Sequence, residues 1–355
     1  MLTYMTTDVR GGATKDIIDN MAGTVVFTGA NSSAGIPAVE YLLRAYPDYT
    51  AVLTVRNASN TDPNTQKLRE TIAQFPSAKA SIHELDLSSL AATHAFADTV
   101  ASGIANGEYP PIAAIVCNAY YWNLVGDPEI TADGYDKTIQ VTYISHAALV
   151  LRLIGNFGDT GRVVFVSADA HWAGKNMIEV YPPVLISDSD LLVKPTTGPD
   201  KQGYGFQRYA SAKLAVTTWM HALNRRLQKE GAWNGNNKMV TAVAIDPGNL
   251  ADSRALRTNT ARKTQMMQKF LLVPLLPILQ YVFPTARTAA VAGVDLIELA
   301  VGPKYAGERG YFTLLQKGES APDSQNEAIQ QRLWKKTLEW TKITRGNTAL
   351  KAAFD

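Results

Sequence analysis

Short apolar runs alternate with amphipathic stretches from Gly23 to about Gly248. The runs are rich in Val, Ile and Thr without strict apolar and polar alternation, which is typical of strands buried on both faces. They predict six strands, at residues 24–28, 51–56, 81–87, 113–119, 162–167 and 239–246. Strands that alternate with helices indicate an α/β fold of the Rossmann type, a doubly wound parallel sheet with right-handed crossovers and helices on both faces.

Helical periodicity fills the spaces between these strands. An apolar helix face begins at Ile36, and further patterns predict helices over 209–230, 285–300 and 327–343. No linker rich in Pro, Gly or Ser divides the chain. We therefore expect residues 23–355 to form a single domain with a C-terminal helical substrate cap, after an N-terminal extension, residues 1–22.

Two segments stand out from the alternating pattern. Residues 173–208 form the longest predicted irregular stretch, and an insertion of that length in a compact domain is usually functional or mobile. Residues 249–300 are expected to form a lid over a substrate pocket, and they contain the apolar run FLLVPLLPILQYVF. This run, 270–283, is too short to span a bilayer, and its two prolines interrupt a helix. We expect a buried lid or pocket wall in preference to membrane contact, because no basic cluster of membrane-anchoring type flanks the run.

Composition restricts the classes of function. The net charge is only +2, so we expect no nucleic-acid partner. The single Cys117 excludes an internal disulfide framework, and one Cys with five scattered His predicts no metal site. The N-terminal residues lack the apolar core of a signal peptide, and no span long enough for a transmembrane segment is predicted. These features favour a cytoplasmic protein.

A turn of small residues, TGANSSAGI, follows the first predicted strand and leads into a helix. Such a turn lets backbone N–H groups approach a pyrophosphate at the helix N-terminus. The second strand ends in Arg56, which either accepts the 2′-phosphate of NADP or is a solvated charge at the strand end. Asp86 and Asn118 follow the third and fourth strands, at the sheet edge where open α/β folds bind ligands.

Tyr209 and Lys213 lie four residues apart at the expected start of the long helix, and therefore on one helix face. We expect the ammonium group to lower the pKa of the phenol, so that Tyr209 can exchange a proton with a carbonyl oxygen. The alternative is that both residues only bind a cofactor.

These motifs resemble those of the short-chain dehydrogenase/reductase family. TGANSSAG is similar to the glycine-rich turn of that family, VCNA to its NNAG, YASAK to its YxxxK, and DPG at 246–248 to its strand-end Pro-Gly. DGYDKTIQVTYISHAALV, VSADAH and QRLWKKTLEW look closer to its retinol dehydrogenase and protochlorophyllide reductase branch.

The resemblance implies NADP(H) as cofactor and a bulky apolar carbonyl or alcohol as substrate. It makes Tyr209 and Lys213 the catalytic pair. The cofactor-binding residues that it implies are Gly29, Asn31, Ser32, Ser33, Gly35, Ile36, Arg56, Asp86, Leu87, Asn118, Ala119, Tyr209, Lys213, Pro247 and Gly248. Family members also suggest a homodimer built from the long helices.

Five positions depart from the family pattern. The middle glycine of the turn is Ser33, and the glycine of NNAG is Tyr120. Thr142 replaces the Asn that holds the proton-relay water, and Ala168 replaces the Ser that hydrogen-bonds the reacting carbonyl. Asp252 stands where a Thr helps to seat the nicotinamide. Loss of one preorganised oxyanion donor typically slows a reaction by roughly 10²- to 10³-fold.

Three functions remain open from the sequence. The first is an NADP(H)-dependent oxidoreductase that reduces a ketone or aldehyde of a bulky apolar molecule, or oxidises the alcohol, with Tyr209 as general acid and base. The second is an enzyme of the same fold that binds NADP and catalyses a non-redox cyclisation, isomerisation or dehydration of an apolar natural product. The third is a ligand-sensing or scaffold protein without chemistry.

Overall fold

The computed structural model describes residues 23–185, 190–195, 197–233 and 239–355, so the predicted N-terminal extension 1–22 lies outside the described residues. The strands are β1 (Thr24–Thr28), β2 (Thr50–Val55), β3 (Ala80–Glu84), β4 (Ile112–Cys117), β5 (Phe157–Val166), β6 (Met239–Asp246), β7 (Asn249–Leu250), β8 (Ala286–Arg287), β9 (Gly310–Thr313) and β10 (Gln316–Gly318). The α-helices are α1 (Gly35–Ala45), α2 (Pro63–Ala73), α3 (Leu90–Ala105), α4 (Lys137–Ile139), α5 (Ser145–Leu153), α6 (Asp190–Val193), α7 (Lys201–Trp233), α8 (Arg262–Met267), α9 (Leu276–Val282), α10 (Ala289–Val301), α11 (Pro322–Gln325) and α12 (Glu327–Thr341).

The main sheet has eight strands in the order β10-β9-β6-β5-β4-β1-β2-β3. All neighbouring strands are parallel except β9 and β10, which form an antiparallel pair at one edge. The six predicted strands are confirmed, and the first and the last have the predicted bounds. The pattern missed β9 and β10, which are too short to give a clear signal. The α/β fold with a doubly wound parallel sheet is confirmed.

Two hydrophobic cores lie on opposite faces of this sheet. Successive residues of β1 alternate between them: Val25 and Phe27 pack with α1, α2 and α10, whereas Val26 packs with α3, α5, α7 and α12. On the first face, α10 lies directly against the start of α1. A Cβ on Gly293 would come within 2.6 Å of the Ala34 carbonyl oxygen, so this close packing requires glycine. The contact fixes the helix that begins at the small-residue turn.

The predicted start of the long helix is wrong. Helix α7 begins at Lys201, eight residues before Tyr209, so the expected irregular stretch 173–208 ends in regular helix. Gly203 and Gly205 suggested a loop, but their small size serves packing. A Cβ on Gly205 would lie 2.3 Å from the Asn123 carbonyl oxygen. The helix predicted over 285–300 also begins later, at Ala289, because the short strand β8 precedes it.

The expectation that the apolar run 270–283 is buried is wrong for most of its side chains. Phe270, Ile278 and Tyr281 are exposed over 64%, 63% and 90% of their surface. The predicted interruption by proline is confirmed: α9 begins after a break, and Pro277 lies in its first turn. Only Leu276 of the run is fully buried.

One helical stretch, Lys137–Asn156, has the length and mean hydropathy of a membrane span, but 89% of its most apolar window is buried inside the protein. It includes α5 and packs against the sheet and α3. A π-helical turn, Gln140–Ile144, joins α4 to α5. The stretch is therefore a core helix of the domain.

The C-terminal helix α12 covers one face of the long helix α7. Trp334 of α12 stacks on Trp219 of α7, with ring centroids 5.3 Å apart and an interplanar angle of 9°. The Arg226 guanidinium lies 3.9 Å from the Trp334 ring centroid. The two indoles are buried almost completely. This face of α7 is thus occupied by the chain itself.

Replacement of Trp334 by Ala is expected to lower the free energy of unfolding by about 3–5 kcal/mol, because it opens a cavity against Trp219 and removes the partner of Arg226. Chemical denaturation of the two proteins measures this difference. Trp172→Ala is the matched control, because Trp172 is only partly buried. Equal losses for the two variants would contradict the assigned role of the stacked pair.

Candidate active site at the carboxyl edge of the sheet

The small-residue turn after β1 is built on two glycines that no other residue can replace without strain. Gly29 has a φ of +67°, in the left-handed region. A Cβ on Gly35 would lie 2.6 Å from the carbonyl oxygens of both Gly29 and Ala30. The first turn of α1 is therefore pressed directly onto the end of β1, as the sequence motif predicts.

This turn presents free backbone donors at the N-terminus of α1. The Ser32 hydroxyl accepts the Gly35 N–H at 2.9 Å, and the Ser32 carbonyl accepts that of Ile36 at 3.2 Å. Within the described part of the chain, the N–H groups of Ser33 and Ala34 have no hydrogen-bond partner. Unpaired N–H groups at a helix N-terminus fit the oxygens of a phosphate group. The cradle therefore suits the pyrophosphate of a dinucleotide.

A buried network of hydrogen bonds joins the end of β1 to the end of β4. The Thr28 hydroxyl accepts the N–H groups of Asn118 at 3.0 Å and Ala119 at 3.1 Å. It lies 2.9 Å from Nε2 of His146, whose Nδ1 faces the Thr142 carbonyl at 3.1 Å. Since a carbonyl only accepts, Nδ1 carries the proton and Nε2 accepts the Thr28 hydroxyl. Burial lowers the pKa of His146 to about 4, which keeps the ring neutral.

The Asn118 side chain closes the same network from the other side. Its amide nitrogen donates to the carbonyl oxygens of Thr28 at 2.9 Å and Gly29 at 3.2 Å, and lies 3.2 Å from the Ser32 hydroxyl. The predicted site residues Asn118 and Ala119 therefore lie directly beside the turn. Their position results from polar contacts that the sequence motif alone does not reveal.

Arg254, which the sequence analysis did not select, reaches the turn from the segment after β7. Its guanidinium donates to the Asn31 carbonyl and to the Asn64 side chain, and its backbone N–H donates to the Ser33 hydroxyl at 3.0 Å. Within the described residues it has no carboxylate partner in an ion pair. Burial lowers the pKa of Arg254. A cation is thus held against the phosphate cradle without a salt bridge to a described residue, and the nearby charge of Asp62 only partly opposes the lowering of its pKa.

The other predicted cofactor residues lie along the same edge. Arg56 is exposed at the end of β2, and Asp86 is exposed after β3. The Asp86 carboxylate accepts the Ser88 N–H at 2.9 Å, and the Leu87 carbonyl accepts the Ser145 hydroxyl at 2.6 Å. These contacts order the strand ends.

The Pro-Gly turn after β6 needs its glycine. Gly248 has a φ of +85°, and a Cβ there would lie 2.5 Å from the Thr285 carbonyl oxygen. Its N–H donates to the Asp246 carboxylate at 2.9 Å. Burial raises the pKa of Asp246 to about 6. Together with Pro247, the turn directs the chain away from the sheet toward Arg254.

Tyr209 and Lys213 lie within α7, well after its first residue, Lys201, and at the same edge of the sheet. The Lys213 ammonium donates to the Val166 carbonyl at the end of β5 over 2.5 Å, and it lies 5.6 Å from the Tyr209 ring centroid. Lys213 is fully buried, and this burial lowers its pKa to about 7, with partial opposition from the charge of Asp246.

The expected lowering of the Tyr209 pKa is wrong. Burial raises the pKa of Tyr209 well above its usual value, and the nearby Tyr120, Asp169 and Asp246 raise it further. The ammonium of Lys213 is bound to a backbone carbonyl and does not offset these effects. Tyr209 is therefore a neutral phenol at physiological pH, a proton donor rather than a phenolate.

Tyr120 fills space beside this pair. Its ring centroid lies 5.0 Å from the Lys213 ammonium and 5.6 Å from the Tyr209 ring. Trp122 and Phe206 complete an aromatic enclosure around Tyr209, at 5.3 and 5.9 Å between ring centroids. Where the family motif has glycine, this chain therefore has an aromatic wall.

The other departures are also explained by their contacts. Ala168 packs in the aromatic cluster, whereas the neighbouring Ser167 hydroxyl turns away to Thr217 at 2.8 Å and cannot replace the missing Ser. Thr142 lies in the π-helical turn, and its hydroxyl accepts the Tyr121 N–H at 3.4 Å. π-helical turns of this kind are frequent at functional sites.

Two acidic residues near the site serve structural contacts. The Asp252 carboxylate accepts the N–H of Ala289 at 2.7 Å, at the first turn of α10. The Asp169 carboxylate accepts the Asn176 side-chain amide at 2.7 Å. Neither replaces the donor lost at Ala168, because ionised carboxylates only accept hydrogen bonds.

The chain is similar to proteins that are named dehydrogenases. The chain is 27% identical to the short-chain dehydrogenase iccH of Talaromyces variabilis, over 94% of this chain and 99% of that protein. The chain belongs to the short-chain dehydrogenase/reductase family. A family model described as the AcuH dehydrogenase domain matches residues 254–350. The dehydrogenase acuH of Aspergillus aculeatus is 49% identical over 26% of this chain and 94% of that protein.

Among solved structures, an angucycline C-6 ketoreductase, LanV, with bound NADP has the same fold. It covers 83% of this chain and 95% of its own, with 17% sequence identity and a TM-score of 0.53. These comparisons support the short-chain dehydrogenase/reductase family but not the closer likeness to the retinol dehydrogenase branch.

In this short-chain dehydrogenase, sequence reasoning missed Arg254 and the roles of Tyr120 and His146. Their contacts join segments far apart in the chain, such as Arg254 with Asn31, and no local pattern marks them. The presence of a cation two residues after the expected nicotinamide position, Asp252, was the one available signal.

Lys213→Met is expected to raise the melting temperature of the protein without added cofactor by several degrees at about pH 6. Because the pKa of Lys213 falls from 10.5 to about 7 on folding, the buried charge destabilises the fold fully below pH 7. This destabilisation decreases as the pH rises from 7 toward the pKa of Lys213 in the unfolded chain. The rise in melting temperature of the variant should therefore be smaller by about pH 9. Lys229→Met, on an exposed position of the same helix, is the control for thermal melts. A loss of stability at low pH in Lys213→Met would contradict the argument.

Proposed function

We propose that this short-chain dehydrogenase is an NADP(H)-dependent reductase of bulky apolar ketones or aldehydes, with Tyr209 and Lys213 as its catalytic pair. The observation that carries the proposal is the position of the pair. A buried lysine and a neutral tyrosine occupy one face of α7, beside the turn whose unpaired N–H groups fit a pyrophosphate. A proton donor and a dinucleotide cradle at one sheet edge are the two parts that carbonyl reduction requires.

The proposed cofactor residues line the edge from β3 to β6. They are Gly29, Asn31, Ser32, Ser33, Gly35, Ile36, Arg56, Asp86, Leu87, Asn118, Ala119, Tyr209, Lys213, Pro247 and Gly248. NADPH, when bound, supplies a hydride to the carbonyl carbon of the substrate. The preference for NADP(H) over NAD(H) is supported by the cations Arg56 and Arg254 on either side of the turn, and by the NADP bound to the angucycline ketoreductase.

Tyr209 is proposed to donate its hydroxyl proton to the oxygen of the reacting carbonyl. Its raised pKa keeps the proton on the phenol near neutral pH, which favours reduction over oxidation of the alcohol. Lys213 is proposed to hold the ribose of the cofactor. Since Ala168 supplies no second hydrogen-bond donor to the carbonyl oxygen, the reaction depends more heavily on Tyr209 than in family members that retain the Ser at this position.

The apolar substrate class is supported by the surroundings of Tyr209. Trp122, Phe206, Ala168 and Leu256 belong to one apolar cluster beside the phenol. We propose that residues 249–300 and 173–208 border the pocket that receives the substrate. The non-redox alternative has no support in the relatives, which are named dehydrogenases.

Location and assembly follow from other features. We propose a cytoplasmic protein, in agreement with the single, buried Cys117. We do not propose a homodimer through α7, because α12 and its Trp334 already cover the Trp219 face of that helix.

Tyr209→Phe is expected to reduce turnover by about 10²- to 10⁴-fold, because the general acid is lost while the cofactor cradle stays intact. The test follows oxidation of NADPH by absorbance with a panel of bulky ketones and aldehydes. Direct titration of NADPH should show similar affinity for both proteins. Tyr204→Phe is the matched control, because Tyr204 lies on the same helix but stacks on Tyr181.

Two results would overturn the proposal. Absence of NADPH binding to the unmodified protein would remove the cofactor assignment. Turnover that survives in Tyr209→Phe would remove Tyr209 as the proton donor.

Arg254 is proposed as an additional contact to a phosphate of the cofactor. Its guanidinium lies between the β1–α1 turn and the start of α2, and its present acceptors are the neutral oxygens of Asn31 and Asn64. A phosphate at the cradle would supply the charge that these partners lack. The contact would join the C-terminal part of the chain to the nucleotide site.

Arg254→Gln is expected to weaken NADP binding by about 10- to 100-fold, the range of a charge-assisted hydrogen bond. Calorimetric titration with NADP and with NAD distinguishes the phosphates: loss for NADP alone indicates the 2′-phosphate, and equal loss for both indicates the pyrophosphate. Arg257→Gln is the control, because the Arg257 guanidinium donates to Gln268 at 2.8 Å. Unchanged affinity in Arg254→Gln would contradict the assignment.

A further inference from the structure

We propose that the segment 262–283, here called the lid segment, docks this protein on the surface of an anionic lipid membrane. The segment contains α8, the π-helical turn Gln268–Leu272 and α9. Three observations carry the proposal: an exposed apolar face, a rigid attachment to the domain, and a charge pattern complementary to acidic lipid headgroups.

Most of the apolar side chains of the lid segment are exposed to solvent. Tyr281 is 90% exposed, Val282 66%, Phe270 64% and Ile278 63%. Six further apolar side chains of the segment are more than one-third exposed, namely Met266, Met267, Leu271, Val273, Leu275 and Phe283. Contiguous exposed patches of this kind mark interaction surfaces in soluble domains.

The inward face attaches the segment firmly to the domain. The Gln268 side-chain amide donates to the carbonyl oxygens of Ala251 at 2.9 Å and Ser253 at 2.7 Å. Leu276 is buried against Ala251 and Ala286. The exposed face is therefore held outward by buried contacts and is not a frayed end.

Residues 253–294, which include the lid segment, contain positively charged side chains but no negatively charged ones. No Asp or Glu occurs between Asp252 and Asp295, whereas six cations do, and four of them are exposed, namely Arg257, Arg262, Lys263 and Lys269. None of these four forms an ion pair with a described residue. The Lys269 ammonium lies 5.2 Å from the ring centroid of the exposed Phe270. Cations beside aromatic and aliphatic side chains fit the interface of a bilayer that contains acidic lipids.

The same charge pattern argues against a second copy of the chain as the occupant. A symmetric contact through the lid segment would place its three uncompensated cations, Arg262, Lys263 and Lys269, opposite three others. An acidic membrane surface neutralises them and accepts the apolar side chains at the boundary of headgroups and acyl chains.

Docking would place the protein next to a source of apolar molecules. Gln268 donates to the Ser253 carbonyl, and the nearby Ala255 and Leu256 pack against the aromatic cluster that includes Tyr209. The lid segment is therefore attached to the border of the aromatic cluster. This consequence for substrate access rests on the proposed function, whereas membrane binding itself does not.

The test is flotation of the purified protein with vesicles of phosphatidylcholine alone or mixed with phosphatidylserine. We expect binding to the mixed vesicles and its weakening by salt. Ile278→Ser/Tyr281→Ser should abolish binding, and Lys263→Gln/Lys269→Gln should weaken it roughly fivefold per charge removed. All four positions are exposed, so thermal melts should match those of the unmodified protein.

Met177→Ser/Val180→Ser is the matched control, because these side chains are also exposed, by 85% and 60%, but lie outside the lid segment. It should bind vesicles like the unmodified protein. An unmodified protein that binds neither vesicle type overturns the proposal, as does binding that is unchanged in the lid variants. Size-exclusion chromatography that shows a dimer dissociated by Ile278→Ser/Tyr281→Ser would assign the face to self-association and would also overturn it.

Discussion

The arrangement of the site depends on the buried hydrogen bonds of Thr28. One hydroxyl accepts two backbone N–H groups from the end of β4 and donates to the neutral ring of His146. It therefore holds the ends of two central strands and the π-helical turn before α5 in one register. Since unsatisfied polar groups are costly in a buried position, these contacts leave little freedom to the strand ends. The turn from Gly29 to Gly35 begins directly after Thr28, so these hydrogen bonds fix its starting position.

The fold retains an unfavourable buried charge at the same edge. Lys213 lies among apolar groups with one carbonyl partner and a lowered pKa, and Asp246 is buried with a raised pKa. A well-packed apolar side chain would suit the core better than this lysine. A costly ionisable group beside a neutral tyrosine is typical of a site selected for chemistry rather than for stability.

The C-terminal part of the chain contributes residues to the candidate site at the carboxyl edge of the sheet. Arg254 reaches the turn after β1, Ala255 and Leu256 pack against the aromatic cluster around Tyr209, and the lid segment is attached to the same short stretch through Gln268. The family model of the AcuH dehydrogenase domain matches this part of the chain, residues 254–350. Cofactor site, aromatic enclosure and exposed apolar face therefore share one connecting segment.

The sequence by itself determined the strands, the parallel sheet and the turn from Gly29 to Gly35, because these depend on local periodicity and on residues that tight backbone turns require. The spacing of Tyr209 and Lys213 also led to the proposal that they form a catalytic pair. The sequence could not decide the pKa of Tyr209 or the exposure of Phe270, nor could it find Arg254. Burial, the neighbours of a charge and the face a segment presents to solvent are set by residues distant in sequence, and so only the tertiary structure decided them.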